Sequence, residues 1–138
     1  MSTFSPRMLG EAENAVRALL NRTLAGSGIG YHEWVLINVT ALNGGETDRA
    51  RVTDLAVHAL KITAADVDAS LAASSAYLDT TPDTIRLTDH GRTWYADRSE
   101  AIGANARVLF ADLDEHDLDA TARVLTALTE RANQLLAA

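Results

Sequence analysis

The side chains best placed to do chemistry in this sequence are the cations Arg49, Arg51, Lys61 and Arg86. Guanidinium and ammonium groups at such intervals suit a polyanion, because each can hold a phosphate and thereby set register without reading sequence. Between them, Thr63 to about Ser75 reads as a short helix whose outward positions are Ala64, Ala65, Asp68, Ala69, Ser70, Ala72 and Ala73. Ser70 can donate to a base edge and the alanine methyls can touch thymine. Asp68, however, sets a negative charge where phosphates would lie, and the helix carries none of the Arg, Asn or Gln forks that read guanine or adenine. The blander reading is an alanine-rich, solvated helix kept for the fold.

Other chemistries find little support. His32, His58, His90 and His116 lie far apart and none pairs at metal-ligand spacing. The run Asp112, Asp114, Glu115, Asp117 and Asp119 is explained by the positive end of a helix without invoking a cation. No Ser-His-Asp set, Gly-rich phosphate loop or His-Glu-x-x-His stands out, so neither catalysis nor a cofactor is expected. With no cysteine, thiol redox switching and disulfides are excluded. The chain has 138 residues, 47% of them hydrophobic, enough for one ordinary core. Met1-Ser-Thr-Phe-Ser-Pro-Arg7 lacks the apolar stretch of a secretory signal and no long apolar run follows, so a cytoplasmic protein without membrane contact is expected. The net charge of −7 is unusual for a polyanion binder and requires the cations to be gathered on one face.

The elements that must position these residues follow from periodicity and breakers. Ser5-Pro6 opens a helix with Leu9, Ala12, Val16, Leu19 and Leu20 at helical spacing, ended by Gly26-Ser27-Gly28. A second runs from Tyr31 to Leu42 and stops at Asn43-Gly44-Gly45. A third spans about Val52 to Leu60, with Leu55, Ala56 and Leu60 inward. Ile62 marks a turn, and the fourth is capped by Thr63 with Asp66 answering and packs through Val67 and Leu71. Tyr77-Leu78-Asp79 and Thr84-Ile85-Arg86-Leu87 form a small ribbon around Thr81-Pro82-Asp83. Thr88 caps a fifth helix running through Trp94, Ile102 and Leu109. The last starts at Asp114 with Leu113 and Leu118 as a hydrophobic staple, and its stripe Leu118, Ala122, Leu125, Leu128, Ala132, Leu135 is a narrow seam suited to another helix or a second subunit.

This order, helix–turn–helix, ribbon, Leu87-Thr88-Asp89-His90-Gly91, then long helices, resembles the MarR family of transcriptional regulators from about Leu9 to Leu136. The resemblance implies a mainly α fold with a small β-ribbon, a winged helix-turn-helix lobe over 30–90, and dimerisation helices over 5–27 and 91–138 in a single domain covering 1–138. It implies a homodimer on a double-stranded operator, with the fourth helix in the major groove and Arg86 replacing the arginine of a longer family wing. It also implies a pocket for a small aromatic or phenolic ligand, lined by Tyr31, His32, Trp34, His90, Trp94 and Tyr95, with Arg92 or Arg98 as anion partner. Without the resemblance, these aromatics at helix starts are ordinary amphipathic core. The alternative reading is a MarR-like dimer that has lost specific DNA binding and acts through a protein or small-ligand partner.

Overall fold

The computed structural model describes residues 2–138. Elements run α1 Pro6–Thr23, α2 Tyr31–Leu42, β1 Glu46–Asp48, α3 Arg49–Leu60, α4 Ala64–Ala73, β2 Leu78–Thr80, β3 Thr84–Leu87, α5 Asp89–Leu109 and α6 Glu115–Ala137. The chain separates into a unit ending at Gly103 and a second unit, Ala104–Ala138.

Most helix boundaries lie where capping chemistry puts them. Pro6 occupies the first position of α1. Thr63 Oγ1 accepts the Asp66 amide at 3.0 Å while the Asp66 carboxylate accepts the Thr63 amide at 2.9 Å, closing the reciprocal cap of α4. These bonds from Thr63, first its backbone and then its hydroxyl, hold the Asp66 carboxyl below the ordinary aspartate value. Thr88 Oγ1 accepts the Gly91 amide at 2.9 Å at the head of α5, and Asp114 accepts from His116 and Asp117 at the head of α6.

The structure departs from expectation in several places. The ribbon is one part of a three-stranded antiparallel sheet in the order β1-β3-β2. Glu46-Thr47-Asp48 has little strand propensity. It becomes a strand because Gly45, at φ +94°, turns the chain so that its carbonyl accepts the Leu87 amide at 2.8 Å and Glu46 falls opposite Arg86. That strand feeds directly into α3, which therefore starts at Arg49 rather than near Val52. Leu55 is 43% exposed, and Val52 and Ala56 supply the buried face instead. The fourth helix ends at Ala73, two residues early, and β2 begins at Leu78 rather than Tyr77.

The core of the first unit collects Leu36 and Ile37 of α2, Val52 and Ala56 of α3, Val67 and Leu71 of α4, and Leu78, Ile85 and Leu87 of the sheet. It is the junction of a helix–turn–helix with its wing. In contrast, neither α1 nor α6 contains a buried residue. Among the described residues no helix is long and apolar enough to cross a membrane.

Candidate functional site

The first turn of α4 is bare. Ala64, Ala65, Asp68 and Ala69 are exposed, as the helical spacing requires. Ser70, expected to face outward, does not: it is 8% exposed, and its hydroxyl donates to Glu33 Oε2 at 2.8 Å. Glu33 also receives the Gly30 amide on Oε1 at 3.2 Å, so one carboxylate caps α2 and ties it to α4. An acid three residues beyond the Gly30 cap is recognisable from spacing as a helix-start residue; its reach to Ser70 is tertiary and leaves no trace there.

The cations divide into two kinds. Arg51 is exposed on the first turn of α3. Arg86 lies on β3 opposite Asp79, and their 3.8 Å ion pair leaves both side chains more than half exposed, at 58% and 61%. A pair of that kind contributes little and yields readily to another anion. Lys61 ends α3 in the left-handed region at φ 58° and is exposed between α3 and α4. Arg49 differs: its guanidinium donates to Asp68 Oδ1 and to the Thr81 carbonyl, both at 3.0 Å. The negative charge of Asp68 on α4 is therefore matched within the protein.

At the root of the sheet, a concavity of about 340 Å³ is lined by Asp79, Arg86, Leu87, Thr88, Asp89 and Arg92. Two carboxylates face its two guanidiniums, so it has no net attraction for an anion. Arg92 lies across Gly45, where a Cβ would come within 2.8 Å of Nη1. That placement takes it toward the sheet.

The aromatic residues fall into two groups. Trp34, which is 8% exposed, stacks on Tyr95 at 5.5 Å and meets Trp94 edge-on at 5.9 Å. Trp94 continues to Tyr77 at 4.3 Å, and Tyr77 stacks on His90 at 5.3 Å. This continuous ring cluster includes Tyr95, named with these aromatics from the sequence, and also Tyr77, which sequence spacing alone does not assign to it. The Tyr95 hydroxyl donates to Asn38 Oδ1 at 2.7 Å, and burial pushes its pKa up, so it stays a phenol. Tyr31 and His32 form a separate pair at 5.9 Å, with the Arg17 guanidinium 4.2 Å above the Tyr31 ring. Arg98 donates through Nη1 to the Thr23 carbonyl at 3.2 Å, at the end of α1. The Nε atoms of Arg17 and Arg98 are buried without a hydrogen-bond acceptor, although Arg17 pairs through Nη2 with Glu13 and the Arg98 Nε lies 3.9 Å from Asp97 Oδ2. Arg17, too, carries no signal in the sequence, since its value lies in contacts made by a residue fourteen positions before Tyr31.

No protein-family model matches the sequence, nor does any curated protein sequence. Solved structures do match it. Ligand-free NadR has a TM-score of 0.76 at 18% identity over 96% of this chain and 98% of that one. A MarR family transcriptional regulator from Silicibacter pomeroyi has a TM-score of 0.69 at 17% identity, over 93% and 94% respectively. NadR in complex with 4-hydroxyphenylacetate has a TM-score of 0.67 at 16% identity, over 94% and 96%. At these identities the likeness is one of fold: the described residues, with six helices and a three-stranded antiparallel sheet, have the winged-helix architecture of MarR regulators.

Proposed function

We propose that this protein is a dimeric, ligand-responsive DNA-binding regulator of the MarR type, acting by binding rather than by catalysis. The observation that carries the reading is the exposed N-terminal turn of α4, joined through Arg49 to the β2–β3 turn at Thr81, with Arg51, Lys61 and Arg86 exposed on α3, on the α3–α4 turn and on β3. In helix–turn–helix proteins this arrangement puts the second helix in the major groove while cations beside it take phosphates. Ala64 and Ala65 offer only methyl contacts, so the flanking cations supply affinity and base selectivity is modest.

Dimerisation is supported by what a single chain leaves uncovered. Met8 and Val16 of α1 are 48% and 50% exposed, and Leu125 and Leu135 of α6 are 43% and 79% exposed. A two-fold partner supplies the apolar cover such stripes lack, and it presents two recognition helices to successive major grooves.

A ligand role is supported by the ring cluster Trp34, Trp94, His90 and by Tyr31 and His32, together with the acceptor-less Nε atoms of Arg17 and Arg98. A carboxylate supplies the acceptor that a buried guanidinium Nε needs, and an aromatic body packs on the rings. NadR has been solved with 4-hydroxyphenylacetate, a molecule of that chemistry. Titrating it into this protein is expected to change the emission of Trp34 and Trp94, with Trp34→Phe and Trp94→Phe each weakening the apparent affinity. Unaltered affinity in both variants would remove these rings from any binding site.

The test of DNA binding is the salt dependence of affinity for a duplex selected from a random pool, measured for wild type, Arg51→Ala and Arg86→Ala. A cation that holds one phosphate in each subunit is expected, when replaced, to lessen the log–log slope by about 1.8, twice the per-phosphate value of about 0.9. Both variants should weaken selected and scrambled duplexes nearly equally, since holding a phosphate carries no sequence information. A wild-type protein showing no salt-sensitive binding to any duplex at low ionic strength would replace the regulator reading with a dimer working through a ligand or protein partner alone.

A further inference from the structure

Arg49 is the first residue of α3 and sits where the turn of the wing, the strand β1 and the recognition helix meet. Its backbone N–H donates to the Asp83 carbonyl at 2.9 Å, and its Nη1 donates to the Thr81 carbonyl at 3.0 Å. Through Nη2 it reaches Asp68 Oδ1 on α4, also at 3.0 Å, and the side chain is only 25% exposed. The turn it grips is closed on itself. Thr81 Oγ1 accepts the amides of Asp83 and Thr84 at 3.2 and 2.9 Å, and the Thr81 amide donates to the Thr84 carbonyl at 2.9 Å. Such a turn moves as one piece, and Arg49 is its tie to α4.

A guanidinium is a planar fork with fixed donor directions, so bonds to two different elements set the distance between them; lysine, a single flexible point charge, does not. We propose that Arg49 is a positioning residue that holds the wing tip at a fixed spacing from the recognition helix, with Asp68 as its anchor. The proposal rests on the DNA-binding reading for its consequence, while the strap itself is a property of the free protein. It gives Asp68 a second role beside that of a negative charge where phosphates would lie. Removing Asp68 releases a guanidinium beside the phosphates, which raises affinity for any sequence, and lets the wing drift from the helix, which lowers the preference for one sequence.

Two measurements on the full chain decide the matter. In the first, amide exchange is followed in the free protein at Thr81 and Thr84 of the wing and at Ile37 of the core, for wild type, Arg49→Lys, Arg49→Ala and Asp68→Ala. Loss of a hydrogen bond to a charged group typically shifts an opening equilibrium about tenfold, so wing exchange is expected to speed up by about that factor in all three variants, with Ile37 unchanged. In the second, Arg49→Ala is expected to lower the ratio of selected to scrambled duplex affinity about tenfold while the salt slope moves far less than the change of about 1.8 that marks a true phosphate ligand. Asp68→Ala should give a steeper slope and a lower ratio.

Wing exchange that stays at the wild-type rate in both Arg49→Ala and Asp68→Ala would overturn the strap. So would an Arg49→Ala slope reduced by about 1.8 with the ratio intact, which would make Arg49 a phosphate ligand. If Arg49→Ala also loses protection at Ile37, Asp68→Ala carries the test, because that side chain is 63% exposed and its removal leaves the core alone. If wild type binds no duplex, the regulator reading fails, and the exchange rates still decide whether the strap exists.

Discussion

Replacing Gly91 with alanine is expected to destabilise the first unit by about 3 kcal/mol or more, a large part of the stability of an ordinary small domain. A Cβ at this position would overlap the Tyr77 carbonyl oxygen and come within 3.0 Å of the Tyr77 carbonyl carbon. The carbonyl cannot retreat freely. It accepts the Thr88 amide at 3.0 Å, and the Thr88 hydroxyl in turn donates to the Ala76 carbonyl at 3.2 Å while accepting the Gly91 amide. Relief therefore means breaking the cap of α5 or shifting the segment that leads into β2, and Tyr77 carries the ring stacked on His90 and packed on Trp94. The control is Gly10→Ala in the middle of α1, where a Cβ meets nothing within 4 Å. There the substitution should stabilise by about 0.5–1 kcal/mol through helix propensity alone. Urea midpoints for the two variants should move in opposite directions, and equal shifts would contradict this account of the Thr-x-x-Gly spacing.

Gly91 also illustrates which parts of the fold a sequence displays. Capping residues, proline at a first turn and the Asn43-Gly44-Gly45 stop act within a few residues of themselves, and the helices they bound begin and end where they indicate. Strand β1 is different in kind. In Glu46-Thr47-Asp48 only Thr47 favours an extended chain, and the pairing exists because β3, some forty residues later, lies alongside. The start of α3 is hidden with it, since Arg49 follows Asp48 with no loop between them. Helical spacing alone points Leu55 inward, yet it is 43% exposed, while Val52 and Ala56 are buried and Val57 and Leu60 pack against the core.

The same distinction runs through the candidate site. Positions exposed on α4 follow from periodicity, so Ala64, Ala65 and Asp68 lie where expected. Which polar groups are already occupied does not follow from spacing, because partners come from other elements: Glu33 for Ser70, Asp68 and Thr81 for Arg49, Thr23 for Arg98. Each of these bonds occupies a polar atom that spacing alone would leave open to a ligand or a phosphate. The formal charge of −7 is consequently a poor guide to α4, where the one carboxylate that faces outward beyond the first turn, Asp68, is matched by Arg49.

The double substitution Leu125→Glu with Leu128→Glu is expected to convert the protein from dimer to monomer at micromolar concentration. Both leucines are on α6, 43% and 37% exposed in the single chain, and glutamate is a strong helix former, so the helix itself loses little. If α6 faces solvent in the functional state, the variant should behave like wild type. If a second copy covers it, each leucine contributes roughly 1.5–3 kcal/mol of burial and, across a two-fold axis, contributes it twice. Four glutamates would meet near that axis in place of four apolar side chains, adding repulsion to the loss of burial. The dimerisation constant should therefore fall by several orders of magnitude, as read by sedimentation equilibrium. Binding to a two-half-site duplex should collapse with it, because one recognition helix cannot span adjacent major grooves. A double variant that sediments as a dimer with unchanged affinity would place the subunit contact elsewhere and leave the exposed leucines of α6 without an explanation.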